Sequence, residues 1–126
     1  MNLISSLLSF KTYTVAFYKD VKGETRWRAT HRNSNIVADS GEGYKNHLDC
    51  RTSFENLAAG VNSTSYNIVT YVDAKSEARW RIAHKNGNIV ADSGEGYKNV
   101  VDCITSLSNL IKALSCGNYR VTDIST

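Results

Sequence analysis

Two kinds of hydrophobic spacing take turns along the chain, an alternating one that predicts strands and a 3.6-residue one that predicts helices. Tyr13 to Tyr18 is a run of aromatic and β-branched residues that stops at Asp20, before the turn sequence VKGE. Thr25 to His31 then puts Trp27 and Ala29 on one face and Arg26 and Arg28 on the other, which is a second strand with an aromatic core face. Asn35 to Ser40 is a third strand, closed by Gly41-Glu42-Gly43. The same series returns as Tyr66 to Val72, Ala78 to His84 (Trp80 and Ile82 opposite Arg79 and Arg81) and Asn88 to Ser93, closed by Gly94-Glu95-Gly96. Asn86-Gly87 predicts a type I′ hairpin turn, in which both central residues take positive φ; the earlier hairpin has Asn33-Ser34 there.

Beyond each glycine corner the period becomes helical. Val100, Cys103, Ile104, Leu107, Leu110, Ile111 and Leu114 form one stripe; Leu48, Cys50, Phe54, Leu57 and Ala58 form a weaker one. Asn46 and Asn99 are predicted N-caps, with Asp49 and Asp102 three residues on at the positive end of the helix dipole, and Gly60 and Gly117 are predicted stops. Tyr119 to Ile124 alternates again as a terminal strand, while Val61 to Ser65 is either a linker or a brief counterpart strand.

A shift of 53 positions lays Tyr13–Leu57 on Tyr66–Leu110 with about 28 of 45 residues identical, and Asn35 to Asn46 and Asn88 to Asn99 both read NIVADSGEGYKN. The reading is therefore one compact unit, 1–126, made of a first repeat over about 11–64 and a second over about 65–126, after an extra apolar segment, 1–10. A unit of about 50 residues is too small to be comfortably stable alone, so the two are expected to share a core. If they join edge to edge about a pseudo-twofold axis, Trp27 and Trp80 are buried from one side by both helices, with Cys50 and Cys103 in the same core.

Composition narrows the function classes. Zero proline and 41% hydrophobic residues in 126 point away from a linker, a polyproline ligand or disorder, and a net charge of +3 is far below that of a protein that coats nucleic acid. Three scattered cysteines give neither a disulfide framework nor a zinc pattern and point to a reducing, cytoplasmic setting. Leu3, Ile4, Leu7, Leu8 and Phe10 have the spacing of one helical stripe, without the charged start or cleavage site of a signal peptide and too short for a membrane span.

The string RWR, a hairpin of the form H-x-N-G-N, then IVADSGEGY and a helix, present in two copies from Tyr13 to about Thr126, resembles the YegP-like family of small prokaryotic proteins of unknown function. The resemblance implies an α+β fold of two β3-α-β repeats forming one antiparallel sheet, two helices on one face, and C-terminal strands exchanged between repeats or subunits. It implies a strand within Val61 to Ser65 and brings no reaction, cofactor or ligand.

The chemistry-bearing residues do not assemble a catalytic pattern. His31 and His84 read as turn residues, His47 has no counterpart, Cys50 and Cys103 as core, and Cys116 as the more exposed thiol. The GEG corners lack the phosphate-loop spacing and carry a glutamate that repels phosphate. No catalytic residue, metal or cofactor is assigned. The candidate contact surface is Arg26, Arg28, Arg79, Arg81, Lys45, Lys98, Tyr44 and Tyr97. The expected function is a non-catalytic protein-interaction or accessory module (adaptor, inhibitor or stress-associated), with a protein partner, no membrane, and self-association as a homodimer through exposed matching edges or through the apolar start, 1–10. Nucleic-acid binding through the arginine face is the alternative, its arginines instead serving the sheet by pairing with Asp39 or Asp92 or stacking on tyrosines; small-molecule binding comes third.

Overall fold

Tyr13–Lys19 and Thr25–His31 pair as β1 and β2 in the computed structural model, which describes residues 11–123, and Ile36–Asp39 adds β3 antiparallel to β2. Alternation along β2 buries Thr25, Trp27 and Ala29 and leaves Arg26 and Arg28 on the opposite face. Helix α1, His47–Gly60, follows, its first turn capped by Asn46, whose side chain accepts from the Asp49 N–H at 2.8 Å. β4 (Tyr66–Val72), β5 (Ala78–His84), β6 (Ile89–Asp92) and α2 (Val100–Cys116) follow the same order, with Asn99 capping α2 and Gly117 ending it at φ 76°. β7, Tyr119–Asp123, completes the sheet.

All seven strands form one sheet in the order β4-β5-β6-β3-β2-β1-β7, with two helices that touch each other across it. The fold is α+β. The sheet is mixed rather than wholly antiparallel: α2 ends where β1 begins, so the chain enters β7 in the direction of β1 and pairs with it in parallel, from Tyr13↔Tyr119 to Phe17↔Asp123. That start is tied by Asn118, which accepts from the Thr12 N–H at 3.1 Å and donates to Thr12 Oγ1 at 2.8 Å. No strand lies within Val61 to Ser65. Those residues make a turn closed by the Ser63 N–H and hydroxyl on the Gly60 carbonyl, and lead straight into β4.

Tyr13, Val15, Phe17, Trp27, Phe54, Leu57, Trp80, Ile82, Cys50, Cys103, Leu107, Leu110 and Leu114 fill the space between sheet and helices. Phe54 on α1 meets Phe17, Trp27 and Tyr119 edge-on with ring centroids 5.1–5.8 Å apart, so α1 clamps β1, β2 and β7 together. The helical stripes reach solvent at their N-terminal ends, where Leu48, Val100 and Ile104 are exposed. The apolar stripe at Leu3–Phe10, and Ile124, lie outside the described residues.

The hairpins differ from the type I′ expectation. The Ser34 and Gly87 N–H groups each donate to the carbonyl three residues back, and only Ser34 (φ 77°) and Gly87 (φ 96°) are left-handed, while Asn33 and Asn86 are not. The asparagine side chain instead accepts from the N–H two residues on, so the turn is type I followed by one left-handed residue.

Candidate functional site

The open sheet face is where alternation delivers the arginines, and each is already engaged. Arg26 Nε donates to Asp20 Oδ2 at 2.7 Å, and Arg79 to Asp73 Oδ2 at 2.6 Å. Both aspartates begin the turn into the next strand, and their Oδ1 atoms also accept backbone N–H groups from that turn. The hydrogen bond from the arginine, then those from the turn, hold both carboxyls below the usual carboxylate range. Arg28 lies over the Tyr18 ring at 4.7 Å and Arg81 over the Tyr71 ring at 4.4 Å.

Asp39 and Asp92 face each other where β3 meets β6, the single register pair joining the two halves of the sheet. Each accepts the N–H of its own corner glycine, Gly41 or Gly94, at 2.8 Å. Each also overlies the other corner: a Cβ on Gly41 would stand 3.2 Å from Asp92 Oδ2, and one on Gly94 would stand 3.3 Å from Asp39 Oδ2. Both glycines also have positive φ, so the GEG corner is built for this carboxyl pair. Burial, and then the charge of Asp92, push Asp39 up to about 6.

Tyr44 and Tyr97 lie apart from the arginines. Each pairs with the first residue of its second strand (Thr25↔Tyr44, Ala78↔Tyr97) and turns its hydroxyl to the helix, onto Ser53 Oγ at 2.8 Å or Ser106 Oγ at 2.7 Å. Lys45 and Lys98 follow them at the corner, and both are exposed. The structure therefore divides the eight candidate contact residues between the arginine face and the two corners. Trp27, Trp80, Cys50 and Cys103 are at most 1% exposed, and burial pushes the Cys50 thiol up to about 12 and raises Cys103. Cys116 is exposed. Among the described residues no three or more His, Cys, Asp or Glu side chains converge as a metal would need, and no helix is long and apolar enough to cross a membrane.

Sequence reasoning took the sheet edges to match, because equal repeats suggested equal edges. β1 is covered by β7, and Asp123 of β7 is held by Arg51 Nη1 and His47 Nε2 of α1, each at 3.4 Å. At the corresponding place beside β4 no strand is paired among the described residues. There α2 carries Val100 and Ile104 where α1 carries His47 and Arg51, and these stand exposed with Ile68, Val69, Val72 and Val101. The readable signal was this exchange of a polar pair for an apolar pair between the two helix starts, HLDCR and VVDCI.

The comparisons with known proteins bear on the fold and family. Residues 73–108 match the model of a domain of unknown function, DUF1508. A UPF0339 protein of Neisseria meningitidis serogroup B is 40% identical over 47 residues, which is 37% of this chain and 82% of that protein. This chain belongs to the DUF1508/UPF0339 family. A UPF0339 protein of N. meningitidis serogroup A matches to the same extent. The solution structure of the protein of unknown function yegP from E. coli aligns with a TM-score of 0.72 at 11% identity over 93% of this chain and 98% of that one, so the two share a fold. A UPF0339 protein from Shewanella oneidensis aligns with a TM-score of 0.69 at 10% identity over 89% and 92%. The expected YegP-like family is thereby shown, and the family carries no assigned reaction.

Proposed function

We propose that the protein is a non-catalytic, cytoplasmic interaction module made of two tandem copies of one β3-α unit, and that it takes an extended strand of another polypeptide along β4. The observation that carries this reading is the unequal pair of edges: β1 has a strand clamped by α1, while β4 has none among the described residues and an apolar helix end waits beside it. Strand addition of this kind draws affinity from main-chain hydrogen bonds and specificity from alternate side chains. The tandem reading is supported by the matched registers of the two halves and by the 47-residue match that accounts for four-fifths of a relative. Two buried thiols with raised pKa values fit a reducing compartment and are poor nucleophiles.

The arginine face supports nucleic-acid binding less well. Arg26 and Arg79 carry their own counter-ions, Arg28 and Arg81 are stacked, and two carboxyls occupy the middle of the sheet. Titration of isotope-labelled protein, dilute enough to be monomeric, with an uncharged peptide of alternating valine and threonine tests the reading. The Ile68 and Thr70 amides should shift and become protected from exchange. Unmoved β4 amides, or a steeply salt-dependent affinity for DNA lost in Arg28→Ala/Arg81→Ala, would overturn it.

A further inference from the structure

The backbone of β4 is set up for a neighbour. Its register with β5 runs from Tyr66↔His84 to Val72↔Ala78, and the His84 and Ala78 N–H groups point away from β4, to Asn88 and Tyr97. The hydrogen bonds between β4 and β5 therefore use Asn67, Val69 and Tyr71. The N–H and C=O groups of Tyr66, Ile68, Thr70 and Val72 face the open edge. Proteins usually guard such an edge with a charge, a proline, a bulge or a short strand. β7, at the other end of the sheet, has five residues including Arg120 and Asp123; β4 has seven, YNIVTYV, with no charge, no proline and no bulge.

We propose that the strand completing β4 is β4 of a second copy, antiparallel about a twofold axis at Val69, giving one sheet across two molecules. This rests on the strand-docking reading above and names its partner. A twofold axis normal to the sheet must pair side chains of the same face, which a dyad at Val69 does: Val69 meets itself, Ile68 meets Thr70, and Tyr66 meets Val72. All the outward backbone groups are then opposite one another. A strand with a charge at either end would meet that charge's opposite position on its copy; YNIVTYV meets only apolar and hydroxyl groups. Above this pairing the exposed Val100 and Ile104 of each α2 first turn come to the joint, where a polar clamp like His47 and Arg51 would be left without a carboxylate. With Ile68, Val69, Val72 and Val101 they expose on the order of 500 Å² per copy, so these side chains could bury at most about 1,000 Å² in the pair, the lower bound for a specific interface.

The point at which the chain enters β1 lies far from that edge. Thr12 is bonded to Asn118 just past the C-terminal end of α2, whereas the open edge lies beside its N-terminal end, about 25 Å away for a helix of 17 residues.

Sedimentation of the full chain over a range of concentrations, with amide exchange read at Ile68 and Thr70, tests the proposal. A dimer is expected whose formation protects those amides, and Val69→Lys, on an exposed side chain, should weaken it at least tenfold while leaving the fold intact. Ile104→Arg, which repeats the residue of α1 in α2, should weaken it as well. A dimer indifferent to Val69→Lys, or one that dissociates only when residues 1–10 are removed, overturns the proposal. A chain that stays monomeric but gains β4 protection with the valine–threonine peptide removes the second copy and keeps strand docking; one that is monomeric and ignores the peptide removes both.

Discussion

Replacing Asp39 by asparagine should stabilise the protein at neutral pH and do little in acid. Asp39 and Asp92 meet at the joint between the halves of the sheet, and the Asp39 carboxyl titrates at about 6 against 3.8 for a free aspartate. A carboxyl whose pKa rises on folding binds its proton more tightly in the folded state. Its contribution to stability is therefore fully present below about pH 4 and is lost as pH rises through about 6. Two pK units correspond to about 3 kcal/mol; halved for a carboxyl that solvent still reaches, the cost of ionising Asp39 at pH 7.5 is about 1–2 kcal/mol. An asparagine side chain at this position would keep an oxygen for the Gly41 N–H and gain an N–H to offer Asp92, losing only a minor attraction to Arg26. Urea denaturation of both proteins at pH 4, 5.5 and 7.5 is the assay. The midpoint gain of Asp39→Asn should be about 0.5–1 M urea at pH 7.5 and vanish at pH 4. Asp20 and Asp73, whose depressed pKa values act with the opposite sign, are common to both proteins and cancel in the difference. A variant less stable at pH 7.5, or a gain that is flat with pH, would refute the account of the carboxyl pair.

The two halves supply controls for one another at their hairpins. Ser34 (φ 77°) stands where the second half has Gly87, and Ser76 (φ 67°) where the first has Gly23, so Ser34→Gly and Ser76→Gly should each stabilise by about 0.5–1 kcal/mol in thermal melts; a loss in both would show that the serines compensate for their strain. Asn118→Ala removes both hydrogen bonds to Thr12 that bring β7 onto β1 and should cost about 1–3 kcal/mol, with amide exchange rising first in β7 and at Tyr13; uniform loss of protection across the sheet would mean that β7 docks independently of this tie.

Much of the fold was legible because its signals are local. Alternation set Trp27 and Trp80 against the arginines, the two asparagine caps opened the helices where their side chains meet the third N–H, and the strand boundaries fall within a few residues of the change in period. The hairpins were misread at one residue because Asn-Gly suits two turn types, and the asparagine's hydrogen bond to the N–H two residues on selects the one with a single left-handed position. The arginines were placed on the right face, and Arg28 and Arg81 stack on tyrosines as one alternative had it, but Arg26 and Arg79 pair with other aspartates than those expected. Asp20 and Asp73, six residues earlier in sequence, are nearer than Asp39 and Asp92, which turn to each other instead.

By itself the sequence determined the two matching series of strands and helix, the core tryptophans and the family likeness, because period and turn chemistry act over a few residues. The direction of β7, the meeting of Asp39 with Asp92 and the unequal fate of the two corresponding first strands were decided only in the tertiary structure. Each depends on where α1 and α2 deliver the chain after crossing the sheet: the turn at 61–65 passes directly into β4, while Asn118 lays β7 on β1, and among the described residues no strand pairs with the outer edge of β4.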